Sequence, residues 1–313
     1  MASDGLIDVH HHFLPPSYRA AYERAGARPP DGIARMPDWS EAAAVGLLDA
    51  IGIDRAYLSI SSPGVAFEGS DSTEIARLAN DAAAELIANN PGRFGSFAAL
   101  PLPDVDASLA EIVRAFDDLH LDGVGLLTHH GEVYLGDPVL DPVFDELERR
   151  QAIVFIHPTS PLCCQLSLLD VPGPVLEFIF DTTRAVANLI YSGTLDRCPN
   201  IRWIIPHGGG ALPAIGARID GVRMLTPERT RAEESAITYL DRFHYDLAGP
   251  RTDQALRGLL GIADAGRLLY GSDFPFTPEP AVAMMRGAIE ATTALGDNPL
   301  DLLTANARRL FSQ

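Results

Sequence analysis

Short apolar runs alternate eight times with longer amphipathic segments along this chain, and that alternation limits the fold more than any other feature. A short run that is apolar throughout suits a strand buried on both faces. A parallel neighbour can follow only after a crossover, usually a helix. The runs are Gly5–Val9, Arg55–Ile60, Phe94–Ala99, Gly123–Leu127, Ala152–Ile156, Arg202–Pro206, Phe243–Leu247 and Arg267–Tyr270. Helices are expected between them near Ser40–Ile51, Ser72–Asn89, Val105–Leu119, Asp141–Arg150, Val175–Asn188, Ala211–Arg223 and Asp253–Ile262, and after them near Pro280–Leu295 and Leu300–Phe311. Ser40 and Asp253 are expected to cap two of these helices. Eight strand–helix units predict an α/β protein of the (β/α)8 TIM-barrel class, one domain over residues 1–313, with an insertion at Phe13–Trp39 after the first strand. The competing architecture is an open doubly wound sheet, but no Gly-x-Gly-x-x-Gly follows the first strand.

Hydrophobic residues make up 47% of the chain and charged residues 21%, enough for a large core without disulfide staples. The formal net charge of -18 argues against a nucleic-acid partner or an anionic membrane surface, both of which call for clustered cations. A small anionic substrate stays compatible with it, because a pocket can differ in sign from the surface. All 24 basic residues are arginine. With no lysine there is no P-loop lysine, no Schiff base and no carbamylated lysine to bridge two metals. Cys163, Cys164 and Cys198 do not form a disulfide framework, and Met1–Asp8 lacks the basic and apolar regions of a signal peptide. No uncharged run is long enough to span a membrane, so a cytoplasmic protein is expected.

In a barrel, chemistry gathers where strands end. The first strand ends in His10-His11-His12, the fifth in His157, the sixth in His207 and the eighth in Gly271-Ser272-Asp273. Residues two apart on a strand share a face, so His10 and His12 point together and His11 points elsewhere. Each of these residues has a bland alternative: a turn residue at Asp273, a hydrogen-bonded core histidine at His157. Their conjunction at three strand ends instead predicts one divalent metal held by His10, His12, His157 and Asp273, with room left for a substrate. His207 lies in Pro206-His207-Gly208-Gly209-Gly210 and is expected beside the metal, holding its water or passing a proton. His129 and His130 follow the fourth strand and are expected to face the mouth, either as substrate contacts or as solvent-exposed loop histidines. His11, His120 and His244 are expected to be structural, with His120 late in a helix. Phe13, Trp39, Phe67, Phe178, Phe274 and Phe276 are candidates to line an aromatic pocket.

Ile7-Asp8-Val9-His10-His11-His12-Phe13-Leu14-Pro15, Phe155-Ile156-His157-Pro158, Pro206-His207-Gly208-Gly209-Gly210 and Tyr270-Gly271-Ser272-Asp273-Phe274-Pro275 resemble the amidohydrolase-2 group of the amidohydrolase superfamily. Within it the chain is similar to the decarboxylase branch that includes aminocarboxymuconate semialdehyde, 6-methylsalicylate and γ-resorcylate decarboxylases. The resemblance runs almost end to end. It implies a metal-dependent-hydrolase barrel with one metal on His10, His12, His157 and Asp273, and with His207 and Asp273 as catalytic groups. Resorcylate-type members carry Glu at the position of His10. Histidine there tilts the metal toward Zn2+, with Mn2+ as the alternative. The resemblance also points to Arg218 and Arg35 as substrate-binding arginines, Arg218 reaching into a neighbouring subunit, and hence to a homodimer. A guanidinium suits this task because its planar fork binds a carboxylate twice.

The implied reaction is non-oxidative decarboxylation of a small aromatic or unsaturated carboxylic acid. The alternative is hydrolysis of a small lactone, amide or C–C bond, since a metal-activated water serves hydrolysis equally well. A retired, non-enzymatic barrel is the third reading. It fits poorly with a full set of candidate ligands.

Overall fold

The computed structural model describes residues 5–161, 171–249 and 252–312. Cys163 and Cys164 lie outside the described residues, as do Met1–Asp4. Cys198 is a buried free thiol.

The chain opens with strand β1, Leu6–His12, followed by α1, Pro16–Arg24, α2, Glu41–Ile51, and β2, Ile53–Ser59. Next come α3, Ser72–Asn89, β3, Phe94–Ala99, α4, Val105–Val113, and β4, Gly123–Leu127. A two-residue ladder, β5, His129–His130, with β6, Val133–Tyr134, precedes α5, Asp141–Arg149, and β7, Ile153–His157. The second half holds α6, Gly173–Tyr191, α7, Thr194–Arg197, β8, Arg202–Ile205, α8, Leu212–Leu225, α9, Ala236–Arg242, and β9, His244–Asp246. Helix α10, Asp253–Leu259, strand β10, Leu268–Leu269, and helices α11, Glu279–Glu290, and α12, Pro299–Phe311, complete the described chain.

Eight strands form one sheet in the order β1-β2-β3-β4-β7-β8-β9-β10, with every paired register parallel. The sheet closes through bridges Asp8↔Tyr270 and His11↔Phe274, backed by Val9 N–H to the Tyr270 carbonyl at 2.9 Å and His12 N–H to the Phe274 carbonyl at 2.7 Å. This is the expected (β/α)8 barrel.

The core has two layers. Ile7, Val9, Phe97, Phe155, Ile204 and Leu269 fill the barrel, and α12 closes its floor with Leu310 inserted and Phe311 stacked on Tyr57. The larger layer lies between strands and helices, where the buried faces of α2 and α3 present residues such as Leu47, Leu48, Ile75 and Ala79.

The structure departs from the sequence expectations in several places. The helix starting at Asp253 is capped by Thr252, whose hydroxyl accepts from Ala255 N–H at 3.2 Å; Asp253 is its first residue. The helix expected over Val105–Leu119 is α-helical only to Val113 and continues as one π turn over Arg114–Asp118. His120 therefore lies beyond the helix, in the left-handed region at φ 53°. The insertion contains a helix of its own, α1, begun by Pro16 at its first position.

One irregularity positions the site. Between Asp8 and His11, β1 gains one residue relative to β2, a bulge. Strict alternation would set His10 opposite Val9. With the extra residue, Val9 still fills the barrel and His10 also turns inward, its ring 4.9 Å from that of Phe155. His12 then points inward too, while His11 turns outward to the Asp8 carboxylate at 3.0 Å. No side chain fits at Gly271, where a Cβ would sit 2.7 Å from the His10 Cβ and 3.3 Å from the Asp246 Cβ. Gly271→Ala is expected to lower stability by about 1–3 kcal/mol through overpacking at the barrel seam, read as a shift in the denaturant midpoint.

Candidate metal centre

His10, His12, His157 and Asp273 come from β1, from β7 and from the turn after β10. One ligand atom from each lies within 4.8 Å of all the others. Among the described residues it is the one cluster able to hold a metal in this way. His10 Nε2 is 2.9 Å from His12 Nε2, and the Asp273 Oδ1 lies 3.4 Å from the first and 3.2 Å from the second.

Each imidazole has its other nitrogen committed elsewhere. His10 Nδ1 meets the Asp246 Oδ2 at 2.9 Å, His12 Nδ1 the Ser59 hydroxyl at 2.9 Å, and His157 Nδ1 the Pro158 carbonyl at 2.8 Å. An Nδ1 that donates leaves Nε2 with its lone pair, the state a metal requires. Three imidazole nitrogens and one carboxylate in a buried cluster suit a divalent ion with a position left open. The donor set therefore fits the metal.

The electrostatics agree. Burial disfavours charge on His12 and takes its pKa down to about 4, while His157 is held well below its ordinary value by burial and by the neighbouring histidines. Burial also opposes charge on His10, but the carboxylates of Asp246 and Asp273 outweigh it and raise its pKa to about 10. Burial would raise Asp273, yet bonds to His10, His12 and His207 hold it well below the carboxylate range. In the metal-free chain, three of the four ligands are thus ready at neutral pH, and only His10 has a second ring proton to give up.

His207 stands beside this cluster, its Nε2 3.9 Å from the Asp273 Oδ2 and its ring 5.0 Å from that of His10. Its buried Nδ1 has no hydrogen-bond partner among the described residues. Both His207 and Asp273 occupy the left-handed region, at φ 53° and 57°. That conformation costs a non-glycine residue on the order of 1–3 kcal/mol and is kept only where surroundings enforce it. At Asp273 they do so through its N–H to the His10 carbonyl at 2.8 Å and its carbonyl to the Thr277 N–H at 2.8 Å.

Above the cluster opens a cavity of about 770 Å³, with His157, His207 and Asp273 on its floor and Phe178, Ile179 and Phe276 among its walls. Phe178 and Phe276 are the expected aromatic residues that reach it. Phe13, Trp39, Phe67 and Phe274 pack elsewhere, Phe67 against Tyr18 and Tyr22 and Phe274 against His11. Arg35 lies on the cavity rim, but its guanidinium is exposed and bonds Asp38 at 3.2 Å. Arg218 is exposed on α8 and does not line the cavity. His129 and His130 face a separate space of about 220 Å³, not the mouth. Where a bridging lysine would stand after β4, Thr128 donates instead to the buried Asp181.

Sequence reasoning missed two buried aspartates. Asp8 gathers His11, the Ser272 hydroxyl and the Ser272 N–H at the barrel seam. Asp246 holds His10 from the end of β9. That signal was visible as the one acidic residue inside the seventh apolar run.

The family model described as amidohydrolase matches residues 7–313. The chain belongs to the amidohydrolase family. It is 37% identical over 300 residues to the decarboxylase yanB of Aspergillus niger, covering 90% of this chain and 81% of that protein. It is 34% identical over 316 residues to the 6-methylsalicylic acid decarboxylase acuB of Aspergillus aculeatus, covering 97% and 95%. Among solved structures it resembles a dihydroxybenzoic acid decarboxylase from Polaromonas sp. JS666, with bound manganese and the inhibitor 2-nitroresorcinol. The TM-score is 0.83 at 26% identity, with 98% and 97% of the two chains covered.

Loading this amidohydrolase with metal at pH 7–8 is expected to release about one proton per ion, from His10, so affinity should rise with pH in that range. Calorimetry in buffers of different ionisation enthalpy reads the proton count. A count of zero would contradict the His10 assignment.

Proposed function

We propose that this amidohydrolase is a metal-dependent, non-oxidative decarboxylase of a small aromatic carboxylic acid of the 6-methylsalicylate or dihydroxybenzoate kind. The observation that carries the reading is the convergence of three imidazoles and Asp273 on the floor of a cavity walled by Phe178 and Phe276. Flat apolar walls suit an aromatic ring, and the donor cluster beneath suits its carboxylate and a neighbouring hydroxyl. The named activities of the relatives point the same way.

His10, His12, His157 and Asp273 would hold one divalent ion. When bound, the ion supplies positive charge that fixes the carboxylate and offsets negative charge as it builds on the ring. Zinc is the proposed metal, because the donor set is rich in nitrogen. Manganese, as in the Polaromonas relative, is the alternative. In the reaction the bond between the ring carbon and the carboxylate breaks, and the carboxylate leaves as carbon dioxide. Its electron pair stays on the ring carbon, and a proton takes the vacated position. His207 and Asp273 face the cavity and each other, so either can hold that proton and pass it on. The hydrophobic walls keep bulk water from the ring. Arg35 would meet the substrate at the rim after leaving Asp38.

A homodimer is part of the proposal. Helices α6 and α8 touch, and both leave apolar side chains in solvent: Leu176 and Phe180 on the first, Val222, Met224 and Leu225 on the second. Arg218 lies on that same helix and would serve the partner's cavity. Among the described residues no helix is long and apolar enough to cross a membrane.

Metal-replete protein is expected to release carbon dioxide from at least one member of a panel of 6-methylsalicylate, dihydroxybenzoates and muconate-type acids. Silence across the panel, with cleavage of a lactone or amide instead, would move the assignment to hydrolysis. His157→Ala and Asp273→Ala should lose both activity and metal. His207→Ala should lose about 10²-fold or more in kcat while retaining metal; loss of metal equal to His157→Ala would make His207 a ligand. For the dimer, Leu225→Glu with Met224→Glu should shift sedimentation to the monomer. A wild-type monomer would end that part of the proposal.

A further inference from the structure

The seventh barrel strand, β9, supplies no metal ligand, yet it ends in a fully buried carboxylate with three hydrogen-bond contacts. Asp246 Oδ2 meets His10 Nδ1 at 2.9 Å. Its Oδ1 accepts the backbone N–H of His207 at 3.0 Å and that of Ala248 at 3.0 Å. The geometry points to Asp246 as a positioning residue: one oxygen sets which nitrogen of His10 faces the metal, and the other pins the backbone corner that carries His207. This inference rests on the metal reading proposed above.

The argument is one of donor and acceptor polarity. A carboxylate only accepts, so the proton between it and His10 lies on Nδ1, and the proton that a metal displaces is the one on Nε2, which faces His12 and Asp273. Gly271 allows the close approach, since a Cβ there would meet both the His10 and the Asp246 Cβ. The two backbone donors on Oδ1 fix the carboxylate plane, so it cannot rotate without losing them. His207 sits at φ 53° in the same corner, and the Asp246 bond to its N–H is one of the contacts that hold it there.

Asp246→Asn separates this role from ordinary packing because the two side chains have the same shape. The amide oxygen is expected to stay on the His207 and Ala248 N–H groups; the flipped amide would set its own N–H groups against two donors. The amide nitrogen then faces His10 Nδ1, which has to accept. The His10 proton moves to Nε2 and points at the metal position. Asp246→Ala removes both acceptor oxygens, and all three contacts with them, but forces no proton onto Nε2.

The two variants should therefore rank in opposite orders. Thermal stability is expected to fall from wild type to Asn to Ala. Metal affinity, measured by competition of Zn2+ with a chromophoric chelator, is expected to fall from wild type to Ala to Asn, with Asn about 10- to 100-fold weaker than wild type. If Asn binds zinc as well as wild type does, or if both measurements rank Ala last, Asp246 is a packing residue and the inference is overturned. A wild-type chain that takes up no zinc fails differently: it overturns the metal reading itself, and the inference falls with it.

Discussion

The seam between the last strand and the first is the interaction on which the remainder of the structure depends. Barrel closure there is carried by backbone bonds from Val9 to Tyr270 and from His12 to Phe274, and by Asp8, whose carboxylate binds the Ser272 hydroxyl and N–H. The same contacts bring Asp273 onto the histidines of β1, with its N–H on the His10 carbonyl. A fold that closed with another register would still have a core, but a one-residue slip would turn Asp273 away from His10 and His12. Closing the barrel and building the metal centre are in this sense one event.

The bulge in β1 serves both. The strand must fill the barrel with Ile7 and Val9 lower down and present His10 and His12 higher up, and a regular strand cannot do both because these residues differ in parity. One extra residue resolves the conflict. The cost is a local loss of pairing to β2, and bonds from Asp8 to the His10 N–H at 3.0 Å and to the His11 ring at 3.0 Å offset it. Left-handed backbone at Asp273 and His207 belongs to the same logic, in that side chains are aimed by main chain that surrounding bonds enforce.

These details explain what was legible in the sequence. The eight apolar runs gave the barrel, since strand burial and helical crossovers are local signals repeated many times. His157 and Asp273 stood out because polar residues at the ends of apolar runs are conspicuous. Period-two reasoning separated His10 and His12 from His11 correctly, although it carried no hint of the bulge. Asp246 was as conspicuous as Asp273, but its role depends on contacts with residues 236 positions away and on the β8 corner. His129 and His130 were misplaced for a related reason. They enter a short antiparallel ladder after β4 that turns them from the mouth, and nothing in their own side chains specifies that turn. Arg35 and Arg218 rest on the family resemblance matched by spacing, which fixes an element and not the path of a long, flexible side chain.

The division of labour within the cavity follows from the same physics. Its floor is made by strand ends, held on both sides by sheet hydrogen bonds, so the distances among His10, His12, His157 and Asp273 are set by the barrel itself. Its walls come from elsewhere: Ile33 and Pro37 from the insertion, Phe178 and Ile179 from α6, Phe276 from the turn after Asp273, and Met285 from α11. Helices and loops tolerate substitution far better than a closed sheet does. The floor can therefore stay constant while the walls change, which separates the two parts of the reaction. In the proposed reaction, ligands and proton carriers would hold the carboxylate and protonate the carbon. The shape left between Phe178, Phe276 and Met285 would select which ring brings that carboxylate in.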